Sequence, residues 1–228
     1  MEGKVVVITG AKGGLGNTVT EAFLNAGATV VGVSRSIKQS DFPHPRFIAL
    51  SGELSNGDAA RSLAEQVVQR CGRLDALVHL VGGFAAKSVA ETDDTTWERM
   101  FDINAKSAFY MTKAVIPAMR AAGGGRIIAI GTRAALEPTA NLGAYAASKA
   151  ALIALIRTLA LENKDAGITA NAVVPVTIDT PANRAADPKA DPSRWISPRT
   201  LAGLILWLAG PEGGQVSGAV IPVYGRDV

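Results

Sequence analysis

A short β-branched run followed by a glycine-rich turn constrains the fold of this 228-residue chain more than any other feature. Residues 4–9 read Lys-Val-Val-Val-Ile-Thr, and this unbroken apolar character predicts a strand buried on both faces of a parallel sheet. The turn Gly10-Ala11-Lys12-Gly13-Gly14-Leu15-Gly16 then leads into a helical pattern ending near Ala26. Glycines let a backbone approach a pyrophosphate, and a helix N-terminus adds free N–H groups and partial positive charge. This order predicts a dinucleotide site, with a tight structural turn as the alternative.

Strand-like runs and helical patterns alternate along the rest of the chain. Further strands are predicted over 29–33, 46–50, 74–81, 126–130, 168–174 and 217–223. Long helices are predicted over 97–122 and from about 143 to 162. This alternation predicts an α/β fold: a single domain over 1–228 with a Rossmann-type doubly wound parallel sheet of about seven strands and helices on both faces. Several prolines and little periodicity predict a partly mobile substrate flap over about 180–198.

The second predicted strand ends at Ser34 and Arg35, where dinucleotide-binding folds contact the adenosine ribose. A carboxylate at this position would bind both ribose hydroxyls and repel a 2′-phosphate, and this chain has none there. The planar guanidinium of Arg35 suits a phosphate, and Lys12 could add a second positive charge. We therefore expect NADP(H) as the preferred cofactor, with NAD(H) as a second option. The alternative is that Arg35 is a solvated loop residue.

Tyr145 and Lys149 are four residues apart at the start of a predicted helix, so both side chains leave the same helix face. A phenol loses its proton near pH 10, and a neighbouring ammonium lowers that pKa. The pair is therefore a candidate proton donor and acceptor for a carbonyl/alcohol couple. The alternative is a buried ring beside a solvated lysine.

Charge and composition limit the partners and the compartment that we expect. The net charge is +3 without a run of basic residues, so we expect no nucleic-acid partner. We also expect no signal peptide, no apolar stretch long enough to span a membrane, and no metal site. The single cysteine, Cys71, cannot form an internal disulfide, which fits a reducing, cytoplasmic environment.

These motifs together resemble the short-chain dehydrogenase/reductase superfamily over essentially the full chain. The residues carrying the resemblance are Thr9-Gly10-x-x-x-Gly14-x-Gly16, Asn104, Thr132, Tyr145-x-x-x-Lys149 and Pro175 through Thr180. The resemblance implies hydride transfer between a nicotinamide and a small carbonyl, imine or alcohol. It also implies association into homodimers or homotetramers.

The resemblance implies a role for each residue of the catalytic set. Tyr145 would be the general acid in reduction and the base in oxidation. Lys149 would lower the pKa of the tyrosine and bind the nicotinamide ribose. Asn104 would hold a water in a proton relay, and Thr132 would orient the substrate carbonyl where the family usually has serine.

Pattern and resemblance together assign a set of positions to the cofactor. They are Gly10, Lys12, Gly14, Leu15, Gly16, Ser34, Arg35, Glu53, Leu54, Val81, Gly82, Gly83, Tyr145, Lys149, Pro175, Val176, Ile178 and Thr180. Besides Thr132, two further positions depart from the family. His79-Leu80-Val81-Gly82 replaces the usual Asn-Asn-Ala-Gly, and we expect His79 to be buried and structural. Glu53 replaces the aspartate that usually contacts adenine.

A narrower resemblance, to the dihydropteridine reductase branch, rests on the stretches 82–85, 132–136, 175–184 and 190–195. Thr132 and the Ser34-Arg35 pair depart from that branch, which lacks this hydroxyl and has an acidic residue for NADH. Substrate is expected under the flap near Phe84, Arg133, Leu136 and Trp195, although Phe84 and Trp195 would equally suit a core. Three functions stay open: an NADPH-preferring reductase, a dihydropteridine reductase, and a non-catalytic NADPH-sensing regulator.

Overall fold

The computed structural model describes residues 1–54 and 56–226, which contain a parallel sheet. Its strands are β1 (Val5–Thr9), β2 (Thr29–Ser34), β3 (Phe47–Ser51), β4 (Ala76–His79), β5 (Gly125–Ile130), β6 (Ile168–Pro175) and β7 (Val220–Val223). The seven strands are ordered β3-β2-β1-β4-β5-β6-β7, and every pairing is parallel. The order reverses between β1 and β4, so the predicted doubly wound sheet is confirmed.

Helices cover both faces of the sheet. They are α1 (Gly14–Asn25), α2 (Gly57–Cys71), α3 (Asp94–Phe101), α4 (Ser107–Ala121), α5 (Gly143–Glu162), α6 (Pro181–Ala186) and α7 (Pro198–Ala209). Val5 and Val7 pack on the side of α2, α4 and α5, whereas Val6 and Ile8 pack on the side of α1 and α7. Neighbouring residues of a strand point to opposite faces, so β1 is apolar throughout because both faces are covered.

The predicted long helix over 97–122 is interrupted in the structure. Helices α3 and α4 are separated by a π-helical segment, Asp102–Lys106, which contains the buried Asn104. A π-segment widens the helix by one residue and re-aims the side chains around it, and such segments are frequent at functional sites. The helical pattern of the sequence continues through this segment, so periodicity alone did not reveal it.

Helix α5 carries Tyr145 and Lys149 and packs against β6 and α3. By length and composition alone it could cross a bilayer, with a mean hydropathy of 1.4 over its best window. We did not expect such a stretch from the sequence. The core helix of a globular fold passes the same test, because a helix covered on most sides is apolar nearly all round.

The predicted flap over 180–198 contains more regular structure than its composition suggested. Thr180 caps α6 by accepting a hydrogen bond from the Asn183 N–H, and a 3₁₀ turn follows at Pro192–Arg194. The two ends of the segment meet where Ile178 and Ile196 form a parallel bridge. The segment is therefore a closed loop whose base is anchored beside the carboxyl end of β6.

Candidate active site

The glycine-rich turn is shaped by close contacts that leave no room for side chains. Gly10 has a φ of +72° and donates its N–H to the Val33 carbonyl at 2.8 Å. A Cβ added at Gly16 would overlap the Gly10 carbonyl, and one added at Gly14 would lie 2.8 Å from the Thr180 Cβ. Helix α1 begins at Gly14 without a side-chain cap, so its first N–H groups can serve an anionic group.

A cleft of about 680 Å³ opens beside this turn, at the carboxyl ends of β1, β2 and β4. This volume lies within the range of ligand cavities. Of the positions expected to bind the cofactor, those lining the cleft are Gly10, Lys12, Ser34, Arg35, Glu53, Leu54, Val81 and Gly82. These eight positions meet at one cavity, which Arg99 and Asp102 line from the side of α3, whereas the four expected catalytic residues are not among its lining residues.

The other expected cofactor residues lie around the cleft in different ways. The Leu15 side chain is buried in the core, so only its backbone can face a ligand. Pro175 ends β6, and Val176 and Ile178 pack against the core on the side of α1 and α7. Thr180 is the closest of them to the turn, because its side chain lies directly over Gly14.

Charged groups at the Lys12 and Arg35 end of the cleft are paired, which the sequence did not indicate. The Lys12 ammonium lies 3.0 and 3.1 Å from the two carboxylate oxygens of Asp41. It is therefore not the free second cation that we expected. The Arg35 guanidinium lies 3.7 Å from Glu53, and both side chains are exposed. Glu53 and Arg35 therefore line the same part of the cleft and lie close enough to attract each other.

The Tyr145 hydroxyl is largely buried and is hydrogen-bonded to Thr132. Burial raises the pKa of Tyr145 above its usual value because the phenolate is poorly solvated, and the Thr132 hydroxyl partly offsets this shift. The causes of this shift are the burial of the phenol and its bond to Thr132. The expectation that the charge of Lys149 lowers the pKa of Tyr145 stays a prediction.

The Lys149 side chain is buried and donates from Nζ to the Ile130 carbonyl at 2.8 Å. Burial lowers the pKa of Lys149 to about 8, because the ammonium is removed from water. A Cβ added at Gly82 would lie 3.0 Å from both Lys149 Nζ and Asn104 Oδ1. Glycine at this position therefore lets the chain after β4 pass close to both polar side chains.

Asn104 clamps the backbone that follows β4. Its Oδ1 accepts from the Gly83 N–H at 2.9 Å, and its Nδ2 donates to the Gly83 carbonyl at 3.1 Å. The same Nδ2 also lies 3.0 Å from Ser148 Oγ, in the turn between Tyr145 and Lys149. The side chain thus joins the π-segment, the β4 loop and α5, while its predicted role in holding a water stays a prediction.

His79 is buried and structural, as expected. Ser107 Oγ donates to the Ile103 carbonyl at 2.6 Å, so it can only accept from His79 Nε2 at 3.2 Å. His79 Nδ1 then accepts from Thr9 Oγ1 at 3.0 Å. Burial lowers the pKa of His79 to about 3, so the ring is a neutral bridge between β1, β4 and α4.

The four expected substrate residues have different surroundings. The Phe84 ring is 62% exposed and meets Tyr145 edge-on, with centroids 5.1 Å apart. Leu136 is exposed, and Arg133 is bonded to Glu137 and stacked on the Tyr224 ring. In the part of the chain that the structure describes, Phe84 is the ring that contacts Tyr145, whereas Trp195 lies half-buried after the 3₁₀ turn.

Several residues of the site were missed in the sequence. Ser148 stands inside the Tyr145-x-x-x-Lys149 turn, so its position next to the pair was a usable signal. Asp41 and Tyr224 carry no motif, and their sequence distance from Lys12 and Arg133 gives no indication of contact. Only the folded chain brings these pairs together.

Comparison with known proteins agrees with this geometry. The family model described as short chain dehydrogenase matches residues 4–191. The chain is 31% identical to a 3-oxoacyl-[acyl-carrier-protein] reductase FabG of Thermotoga maritima, covering 99% of this chain and 98% of the relative. It is 30% identical to a 2-dehydro-3-deoxy-D-gluconate 5-dehydrogenase of Escherichia coli, covering 99% of this chain and 95% of that protein.

Solved structures give the same result. A putative short-chain dehydrogenase/reductase from Burkholderia xenovorans superimposes with a TM-score of 0.92 at 28% identity, covering 99% of this chain and 96% of that one. A family match over residues 4–191, a relative at 31% identity and the shared fold agree with one another. The chain is therefore an oxidoreductase that belongs to the short-chain dehydrogenase/reductase superfamily.

Proposed function

We propose that this protein is an NADPH-preferring oxidoreductase that transfers hydride between the nicotinamide and a small carbonyl, imine or alcohol, with Tyr145 as the proton donor and acceptor. The observation that carries the proposal is the group of polar side chains around Gly82, a residue that lines the cleft. The Tyr145 phenol is bonded to Thr132, and Lys149 and Asn104 both lie beside Gly82. A non-catalytic binding protein does not need a positioned phenol beside a buried lysine.

The residues present fit a dinucleotide. The uncapped start of α1 and the tight glycine turn suit a pyrophosphate, and the cleft continues from Gly10 toward Arg35. When bound, the nicotinamide supplies or accepts the hydride. Lys149 would bind its ribose, and the carbonyl of residue 130 already orients that side chain.

The raised pKa of Tyr145 keeps its hydroxyl protonated at neutral pH, so the phenol is ready to donate to a substrate oxygen or nitrogen in the reductive direction. The Thr132 hydroxyl bond stabilises the phenolate that remains. Thr132 would also polarise the substrate carbonyl, in place of the serine usual in the family. Phe84, packed edge-on against Tyr145, would cover the reacting group from one side.

The preference for NADPH rests on Arg35. Its side chain is 80% exposed, lines the cleft and has a long contact with Glu53, so a 2′-phosphate can compete for it. Arg35→Asp should reverse the ratio of kcat/KM for NADPH and NADH. Arg61→Asp, on the outer surface of α2, is a matched control for the charge change. An unchanged ratio in Arg35→Asp refutes the phosphate assignment.

The substrate class is supported by the relatives. One is named for the reduction of a 3-oxoacyl carrier-protein substrate and another for the oxidation of a deoxy sugar acid. Dihydropteridine reductase stays the second candidate, favoured by the exposed Phe84 ring against Tyr145, which suits a flat heterocycle. An NADPH-sensing regulator is the third.

A panel assay separates the three candidates. NADPH and NADH are each tested with quinonoid dihydropterin, small ketones, acyl thioesters and quinones. Turnover of a ketone or thioester supports the first proposal, and turnover of the pterin alone supports the second. Binding of NADPH without any turnover supports the regulator. Tyr145→Phe should reduce turnover on the order of a hundredfold or more, since a positioned acid or base contributes that much.

We also propose a homodimer or homotetramer. Phe109 on α4 and Leu161 on α5 are large apolar side chains exposed on neighbouring long helices, which suits a helix-pair interface. Light scattering of the purified protein measures the mass directly, and a monomer at micromolar concentration refutes this proposal.

A further inference from the structure

The ammonium of Lys12 is held by one short segment, which begins just after β2. Both carboxylate oxygens of Asp41 lie within 3.1 Å of Lys12 Nζ, and the Ser36 carbonyl lies 3.3 Å from it. The pair is partly shielded, because Asp41 exposes only 23% of its side chain. Lys12 is therefore anchored to the loop, although it stands on the glycine-rich turn.

Asp41 is itself fixed in position. Its Oδ2 accepts from the Lys38 N–H at 2.8 Å, which closes the 3₁₀ turn at Gln39–Asp41. This backbone hydrogen bond, together with the one from Lys12, holds the pKa of Asp41 below its usual value, so the carboxylate stays charged at neutral pH. The acceptor of the Lys12 ammonium is thus charged at neutral pH and held in position by the backbone of residue 38.

The partner of the Lys12 ammonium lies outside the lining of the cleft. Lys12 lines the cleft, and Asp41 is outside the group of residues that line it. Lys12 Nζ is therefore paired with a carboxylate that is not itself part of the cleft lining. Arg35 contrasts with Lys12, because its contact with Glu53 is 3.7 Å long and both partners are mostly exposed. A 2′-phosphate would therefore find the Arg35 guanidinium accessible, whereas the Lys12 ammonium would already be paired with Asp41.

We propose that Asp41 is a specificity-determining residue, which withholds Lys12 from the 2′-phosphate and so limits how strongly the protein prefers NADPH over NADH. The inference rests on the proposed function only in placing the adenosine ribose at this end of the cleft. In this proposal Arg35 alone distinguishes NADPH from NADH in the native protein. Lys12 could bind the 2′-phosphate as well, but the Asp41 carboxylate prevents it from doing so.

Removing the carboxylate has a predictable direction. In Asp41→Asn the side chain keeps its size and an acceptor oxygen for the Lys38 N–H, but it loses its charge. Lys12 is then free to turn toward the cleft. The interaction of one added unit charge with a phosphate in a solvated site corresponds to roughly three- to tenfold in affinity. A ligand without the 2′-phosphate should gain much less.

Binding of adenosine fragments tests this without knowledge of the substrate. Calorimetry measures the Kd of 2′,5′-ADP and of 5′-AMP for the native protein, Asp41→Asn, Lys12→Met and the double variant. Asp58→Asn is the matched control, because Asp58 pairs with Arg61 on the surface of α2. Thermal melts of each variant verify that the fold is kept.

The expected result is a three- to tenfold lower Kd for 2′,5′-ADP in Asp41→Asn, a change below twofold for 5′-AMP, and no change in Asp58→Asn. The gain should vanish in the double variant, since it requires Lys12. If the gain persists without Lys12, or if Asp41→Asn binds 2′,5′-ADP like the native protein, the inference is overturned and the proposed function stands. If neither fragment binds the native protein, both are overturned.

Discussion

Burial of Lys149 has a thermodynamic consequence that can be measured without a substrate. The ordinary pKa of a lysine side chain is 10.5, and burial lowers the pKa of Lys149 to about 8. Below pH 8 the lysine is charged in both the folded and the unfolded chain, so the native state carries the full desolvation penalty. The drop in the pKa of Lys149 corresponds to a destabilisation of the native state by about 3 kcal/mol, at about 1.4 kcal/mol for each tenfold change in proton affinity.

Lys149→Met removes this penalty while filling a similar volume. It also deprives the Ile130 carbonyl of its hydrogen bond from Nζ, which costs about 1 kcal/mol. We therefore expect the variant to be more stable than the native protein by about 2 kcal/mol at pH 7. For a chain of this size the gain corresponds to about 4 to 8 °C in Tm.

The sign of the pH dependence identifies the cause. As pH rises from about 8 to 10.5, the folded lysine loses its proton before the unfolded one, so the native protein recovers stability that the methionine variant already has. The advantage of the variant should therefore disappear and turn into a deficit of about 1 kcal/mol by about pH 10.5, where the penalty is gone and only the lost hydrogen bond remains. Urea unfolding followed by circular dichroism at pH 7 and pH 10 measures both values.

Lys164→Met is the control, because Lys164 is an exposed residue shortly after α5. A surface substitution of this kind should change the free energy of unfolding by no more than about 0.5 kcal/mol. The reasoning fails if Lys149→Met is no more stable than the native protein at pH 7, or if its advantage is the same at both pH values. An unchanged KM for the cofactor in the variant would separately refute the proposed role of Lys149 in binding the cofactor.

Three further variants test the positioning of the site. Gly14→Ala should weaken NADPH binding by about tenfold or more in a fluorescence titration, because the new Cβ would lie 2.8 Å from the Thr180 Cβ. The control is Gly203→Ala, whose Cβ meets open space and which should bind NADPH like the native protein. His79→Leu deprives the Thr9 hydroxyl of its acceptor, while Ser107 keeps its bond to the Ile103 carbonyl, and should lower the free energy of unfolding in urea by about 1 to 3 kcal/mol; an unchanged value would contradict the neutral bridge. Asn104→Ala should lower kcat at least tenfold through loss of the Gly83 clamp, and unaltered kcat would exclude a positioning role.

The loss of stability at acidic pH is a second test of the burial of His79. Burial lowers its pKa from 6.5 to about 3, so the folded chain resists a proton that the unfolded chain accepts. The contribution of this residue is therefore complete above pH 6.5 and is lost as pH falls toward 3. Native protein should lose about 2 kcal/mol more than His79→Gln between pH 6.5 and pH 4.5 in urea titrations. Parallel curves for the two proteins would contradict this burial.

The architecture could be predicted from the sequence because its signals are local. The unbroken apolar run of β1 indicates a strand covered on both faces, and the glycines at 10, 14 and 16 mark a turn that no other residue fits. The spacing of Tyr145 and Lys149 fixes their common helix face. These features depend on residues within one or two turns of each other, so the sequence alone determined them.

The electrostatics of the site were decided by the tertiary structure. Lys12 reads as a free cation in the sequence, yet a carboxylate 29 positions away neutralises it. Tyr145 and Lys149 read as a pair that lowers the pKa of the phenol, yet burial raises it. The strength and even the sign of a charge effect depend on solvent access and on segments distant in the chain. Neither quantity exists until the chain has folded.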